Sequence, residues 1–388
     1  MGTLPPFIMT SEKGSYARKT IEELKPGIID NLLEVYDYTP EIQSTLLDFK
    51  LELSKGPIRP LMEQTSDKPI WDEDLKRYKG KTWLEIPWLL AETYFFRRIL
   101  EIVCYFQPGP WQGRDPYQHL KDREISKALQ DFIKDYHPET LAANYASFQI
   151  ACQDALWGNQ SDLSNLEKYA SSEIPDSEKY ILNQSKAAFD YLSQKSHKIA
   201  YLMDNVGKEL YFDLALIDFL LTKDFAETIT CYLKNQPFFV SDALPKDFLK
   251  TVDFLESSAS QKAEDLAHRI TMGIKSGRIV LEAPPFLATR RMFRNMPDGL
   301  QKRISKHDLT IFKGDVNFRK LVEERHWDPT TAIEKVAGYF PTTALILRTQ
   351  KAELVLGMTK KRYDALEAHA EKDWKTNGKR GLIAFLDK

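Results

Sequence analysis

The run Lys198-Ile199-Ala200-Tyr201-Leu202-Met203 passes directly into Asp204-Asn205-Val206-Gly207 and then into the apolar segment 209–221. A short apolar run of this length reads as a buried strand, the Asp-Asn and Gly residues as a break, and the following segment as a helix. The pattern recurs downstream. Residues 227–233, 278–281, 309–312, 344–347, 353–356 and 381–386 are further short apolar runs, and 246–255, 263–276 and 298–305 are helical patterns between them. Strands alternating with helices predict a mostly parallel sheet covered on both faces, an α/β fold with three Rossmann-like α/β/α layers.

Upstream the texture differs. Residues 18–36 place Ile21, Leu24, Ile28, Ile29, Leu32 and Leu33 near the helical period, with a kink or split expected at Pro26-Gly27. Residues 38–52, 75–78 and 126–136 repeat the pattern more weakly. Residues 83–106 show it most strongly, with Pro87 near the start and bulky apolar residues around the whole helix, so this segment is expected to be buried on most sides. The texture changes near residues 170–195. Two regions are therefore expected: a mostly helical one over 1–180 and an α/β one over 181–388 that carries the site.

Composition sets the outer limits. With 54 Lys plus Arg against 56 Asp plus Glu, the 388-residue chain has a net charge of −2, a poor match for a nucleic-acid-binding protein. Cys104, Cys152 and Cys231 are too few and too scattered for a disulfide framework or a Cys-rich zinc module. Residues 1–13 lack a signal-like apolar core. The most apolar stretch is interrupted by Glu85, Glu92, Arg97, Arg98 and Glu101, which argues against a membrane span. A soluble, cytoplasmic protein is the expectation.

Ligands of open α/β sheets bind beyond the carboxyl ends of the strands. Those positions here hold Asp204, Asn205, Gly207 and Glu209, then Ser241 and Asp242, then Lys313, Gly314, Asp315, Asn317 and Arg319, and finally Arg348, Thr349 and Lys351. Asp204, Asn205 and Asp242 are hard oxygen donors suited to Mg²⁺ or Mn²⁺, and Arg319 and Lys351 suit a phosphoryl group. Each piece also has a plain reading as a helix cap, a turn or a solvated charge. Their joint placement at strand ends is what points to a phosphate-handling site.

These motifs, Asp204-Asn205-Val206-Gly207-Lys208-Glu209, Phe239-Val240-Ser241-Asp242, Lys313-Gly314-Asp315-Val316-Asn317-Phe318-Arg319-Lys320-Leu321 and Arg348-Thr349-Gln350-Lys351, resemble the damage-control phosphatases, formerly domain of unknown function 89. The stretch Trp88-Leu89-Leu90-Ala91-Glu92-Thr93-Tyr94-Phe95-Phe96-Arg97-Arg98 resembles the family's helical N-terminal element. The Arg-Thr-x-Lys element points to sugar-phosphate subfamily III, which includes the acidic-residue methyltransferase proteins. The resemblance implies a phosphatase acting on small sugar phosphates of the fructose 1-phosphate or fructose 6-phosphate type, with Mn²⁺, Mg²⁺, Co²⁺ or Ni²⁺ as cofactor. It further implies that Asp204, Asn205 and Asp242 hold the metal, that Asp315, Asn317, Arg319 and Lys351 meet the substrate, and that Lys351 also balances charge during catalysis. Phe318 and Val316 stand where the family often has Tyr and Leu.

The nucleophile is left open between a water activated by the metal and the carboxylate of Asp204. Two alternatives stand beside hydrolysis. One is methyl transfer from S-adenosylmethionine to protein carboxylates, which the single glycine of the 204–207 turn supports poorly. The other is non-catalytic sugar-phosphate binding. Glu209 lies one helical turn beyond Asn205 and reads as facing the substrate or supporting the metal residues. Asp213 and Asp218 read as solvated or capping, and Arg97 and Arg98 as ion-pair partners of Glu92 or Glu101. No two of the seven histidines have the spacing of a helical metal site.

Overall fold

A computed structural model describes residues 4–129, 142–158 and 176–388. Most of the helix expected over 126–136, and most of the polar stretch before the change of texture, lie outside the described residues. Seven strands form one sheet: β1 (Tyr180–Asn183), β2 (His197–Leu202), β3 (Ala226–Tyr232), β4 (Ile279–Glu282), β5 (Leu309–Lys313), β6 (Thr343–Thr349) and β7 (Gly381–Leu386). Their order is β1-β7-β6-β5-β2-β3-β4, and only the β6–β7 pairing is antiparallel. The α/β class with a mostly parallel sheet is thus as read.

Side chains of the strands alternate between two cores. Ile199 and Tyr201 join Ile229, Cys231, Leu309 and Ile311 on one face, under the helices Tyr145–Trp157, Lys208–Thr222, Pro245–Glu256 and Gln261–Lys275. Ala200 and Leu202 join Phe312, Ala344 and Ile346 on the other, against Phe293, Phe318, Leu321 and Phe340. A third core belongs to the N-terminal helices and centres on Phe49, Trp71, Trp83, Tyr94 and Phe96. Among the described residues no helix is long and apolar enough to cross a membrane.

Two strand readings change. Residues 353–356 are not a strand: β6 is already paired on both edges, and Leu354, Val355 and Leu356 instead pack as irregular chain into the second core. Arg348 and Gln350 satisfy the Leu354 carbonyl from their side chains, which lets this unpaired backbone stay buried. The short edge strand β1 carries no periodicity that four residues could reveal. The kink expected at Pro26-Gly27 takes the form of a π turn, Thr20–Leu24, followed by the helix Lys25–Val35 with the proline in its first turn.

From β2 the chain moves to β3 and β4 on one side, while β5 and β6 lie on the other. The carboxyl ends of β2 and β5 therefore border a topological switch point, where a crevice opens. Asn317 ties these two ends together. Its buried amide donates to the carbonyls of Met203 (3.2 Å) and Lys313 (2.9 Å). Asn317→Ala leaves buried carbonyls without donors and should lower the unfolding free energy by about 1–3 kcal/mol. A urea unfolding curve with an unchanged midpoint would show that the amide ties nothing.

Candidate active site

The cleft at the switch point has a volume of about 350 Å³. The sheet half contributes Asp204, Asn205, Glu209, Asp242, Gly314, Asp315, Arg319 and Lys351 to its lining. The helical half contributes Tyr16, Lys25, Trp88, Glu92 and Phe96. Every metal- or substrate-site residue expected from the sequence lines this cleft except Asn317, whose side chain sits beneath it.

Backbone bonds bring the distant acids together. Asn205 and Asp242 pair as an isolated antiparallel bridge, Val206 donates to the Ser241 carbonyl (2.8 Å), and Ala243 to that of Asp204 (2.8 Å). The Asn205 amide donates to Asp204 Oδ2 (3.0 Å) and Glu209 Oε2 (2.9 Å), while its oxygen accepts from the Ser241 hydroxyl (2.6 Å). Lys234 Nζ lies 3.0 Å from Asp242 Oδ2, and the buried Lys121 donates to the Asp242 carbonyl (2.8 Å).

Burial pushes the Asp204 carboxyl well above the usual range, and the nearby Glu209 and Asp242 raise it further. Asp242 is likewise raised by burial, against the pull of Lys234. The crowding continues beneath them. Lys313, at the end of β5, donates to Glu209 Oε1 (2.9 Å) and the Ala155 carbonyl (2.6 Å) and lies 3.3 Å from Asp213 Oδ1. Burial alone would lower this ammonium, but Asp213 and Glu209 outweigh it and hold it charged. Asp213 is neither solvated nor capping: it is fully buried, accepts from Tyr201 (2.7 Å), and burial raises it to about 7. Asp218 is also buried and takes a two-pronged bond from Arg269 (2.8 and 2.9 Å). Both readings fail for one reason: residues 209–221 of this helix are all buried, so it has no solvated face.

On the opposite wall, ion pairs alternate in sign. Lys25 donates to Glu92 (3.2 Å), Glu92 meets Arg319 (2.8 Å), Arg319 approaches Asp315 (3.8 Å), and Arg348 grips Asp315 through two nitrogens (2.7 Å each). The Arg319 guanidinium also lies 3.8 Å from the centre of the Trp88 ring. Glu92 therefore pairs with neither Arg97 nor Arg98. Arg97 binds Glu63 and Asp67, and Arg98 binds Glu101. Lys351 stands half-buried at the edge of the cleft and, among the described residues, forms no ion pair.

Sequence reasoning placed Lys313 at a strand end without giving it a role, and passed over Lys25 and Glu92 as site residues. A carboxylate inside the otherwise apolar segment 88–96 was the available signal for Glu92, and a lysine closing an apolar strand was the signal for Lys313. Gly314 has a stricter role. Its φ is +81°, and a Cβ there would lie 1.8 Å from Asp204 Oδ2. The residue after β5 must be glycine for the carboxylate after β2 to occupy its place.

Among the described residues no three His, Cys, Asp or Glu side chains form a metal cage. The hard donors that gather are the Asp204 and Asp242 carboxylates and the Asn205 amide oxygen, with the Glu209 carboxylate beside them.

Comparison with known proteins bears on the family of the chain. The damage-control phosphatase ARMT1-like domain matches residues 17–366. Proteins named damage-control phosphatase ARMT1 are 27% identical in Danio rerio, over 99% of this chain and 98% of the relative, and 30% identical in Bos taurus, over 98% of each. A solved structure of a DUF89 family protein from Pyrococcus horikoshii has a TM-score of 0.49 at 18% identity, covering 96% of this chain and 98% of that one. The chain belongs to the ARMT1-like damage-control phosphatase family.

Proposed function

We propose that this phosphatase-family chain is a divalent-metal-dependent phosphomonoester hydrolase for small sugar phosphates, of the fructose 1-phosphate or fructose 6-phosphate type. The observation that carries the reading is the crowding of Asp204, Glu209 and Asp242: burial first, and then the charges of Glu209 and Asp242, lift the Asp204 carboxyl well above its ordinary value. Such crowding is what a hard dication relieves. A donor set of two carboxylates and one amide oxygen suits Mg²⁺ or Mn²⁺, which keep several waters and take further oxygens from a phosphate. Asp204, Asp242 and the Asn205 oxygen would hold the ion. When bound, it supplies Lewis-acid charge at a phosphate oxygen and acidifies water.

The chain's own groups then divide the substrate. Lys351, free of ion pairs among the described residues, is the cation left to meet the phosphate. Lys313 balances Glu209 and Asp213 from below, so the acids can stay packed together without leaving the sheet. Glu92 and Asp315 repel a phosphate dianion and thus suit the hydroxyl end, where carboxylates accept hydrogen bonds from a polyol. Arg319 is committed to carboxylates and acts by holding them. Hydrolysis breaks the ester P–O bond and releases orthophosphate and the free sugar. Either Asp204 or a water attacks, and a covalent adduct trapped on Asp204 would identify the carboxylate route. A cleft of about 350 Å³ is at the small end for ligand pockets, in keeping with one small phosphorylated sugar.

With Mn²⁺, Mg²⁺, Co²⁺ or Ni²⁺ added, the purified protein should release phosphate from both fructose phosphates, and chelation should abolish the reaction. Asp204→Ala should cut turnover by about 10³-fold or more while retaining the thermal unfolding transition. Substantial activity in that variant would overturn the assignment. Gly314→Ala should lose about 1–3 kcal/mol of stability through its left-handed backbone and lose activity as Asp204 is displaced. Wild-type turnover in Gly314→Ala would show that the carboxylate has no fixed place.

A further inference from the structure

Glu324 lies outside the cleft lining, yet it joins the two halves that form the cleft. It is fully buried, and it and Glu323 adopt φ of +37° and +66°. Two consecutive side-chain-bearing residues in this region cost conformational energy, and such strain persists where the surrounding structure demands it. The demand is visible in the contacts. One carboxylate oxygen of Glu324 accepts from the Leu89 amide (2.6 Å), an otherwise open donor in the first turn of the Trp88–Ile102 helix. The other accepts from the Arg319 guanidinium. The Glu324 backbone carbonyl also accepts from Ile8 (3.2 Å). A residue of the α/β region thus caps a helix of the N-terminal region across 235 residues of sequence.

We infer that Glu324 is a positioning residue: its carboxylate fixes Arg319 and the start of the Trp88–Ile102 helix together, and so sets how Glu92 and Asp315, both held by Arg319, face the hydroxyl end of the substrate. This role rests on the proposed sugar-phosphate function of the cleft. Glu92 lies one turn beyond Leu89 on the capped helix, so a slip of that helix start moves Glu92 relative to Asp315.

The charges around Glu324 are consistent with an adjustable contact. Arg319 faces it from the Gly314–Leu321 helix and Glu92 from the Trp88–Ile102 helix, with Lys25 behind Glu92 and Asp315 beyond Arg319. Its neighbours Glu323 and Arg325 pair with each other, and Glu323 also with Arg294. Burial raises the Glu324 carboxyl, Arg319 opposes this and Glu92 adds to it, leaving it at about 7. A carboxyl raised on folding stabilises the fold most below the ordinary carboxyl range, and that contribution is lost as pH rises through about 7. The charged form that grips Arg319 therefore prevails only above about pH 7.

The test is steady-state kinetics of Glu324→Gln on a fructose phosphate from pH 6 to 8, with thermal unfolding measured beside it. At pH 8 KM should rise by about tenfold, the loss of one charge-assisted bond, and by more than kcat falls. The melting temperature at pH 8 should not drop. Wild-type KM should rise as pH falls through about 7, and this break should be absent in Glu324→Gln; substrate ionisation is common to both and cancels in the comparison. An unchanged KM, or a pH break that survives the substitution, would overturn the inference. If Glu324→Gln does not fold, a wild-type KM without that break overturns it equally. Full activity in Asp204→Ala would instead sink the site reading beneath it, and the two failures are distinct.

Discussion

The ammonium of Lys313 carries the structural burden of the cleft end of the sheet. Three carboxylates, Asp204, Glu209 and Asp213, come close together under almost complete burial. Unbalanced, such a cluster would take up protons or open to water. Lys313 ends the central strand β5 directly beneath them and joins Glu209, Asp213 and the Ala155 carbonyl in one contact. Strand β5, the helix Lys208–Thr222 and the helix Tyr145–Trp157 are thereby held to one point. The bond to Ala155 also satisfies a carbonyl near the end of its helix, where no intrahelical donor remains.

The second wall follows the same electrostatic rule, with its charges arranged in series. From Lys25 through Glu92, Arg319 and Asp315 to Arg348, each charge lies beside an opposite one, so none is buried alone. The series begins in the N-terminal helices and ends on β6. The helical region is therefore part of the cleft and supplies polar groups that the sheet lacks. Its aromatic core reaches the cleft as well, through Phe96 against Phe239, whose φ of +50° places strain three residues before Asp242.

Much of this was legible in the chain before any geometry. Strands β2, β5 and β6 announced themselves as apolar runs ending in acids, amides and cations, because a buried parallel strand has few other compositions. The acids at their ends followed from where open sheets bind ligands. Residues 353–356 were misread because burial, and not pairing, makes a run apolar. Asp213 and Asp218 were misread because spacing on a helix says nothing about whether any face meets water. Lys25 and Glu92 were illegible as a pair: 67 residues separate them, and only tertiary folding opposes them. Asn317 shows the reverse case, a polar residue in the right motif whose work is to tie strand ends.

The π turn over Thr20–Leu24 has a consequence for how this cleft can change. A π turn contains one residue more than the α-helical turn it replaces, and it stands just before Lys25. Restoring an ordinary turn by deleting one residue would rotate the upstream helix by about 100° relative to the helix Lys25–Val35. Tyr16 and Thr20, which line the cleft from the upstream side, would then leave it together, while Lys25 stayed in place. A single-residue length change, distant in sequence from Asp204 and Asp242, thus alters the helical wall of the cleft and leaves its charged floor intact.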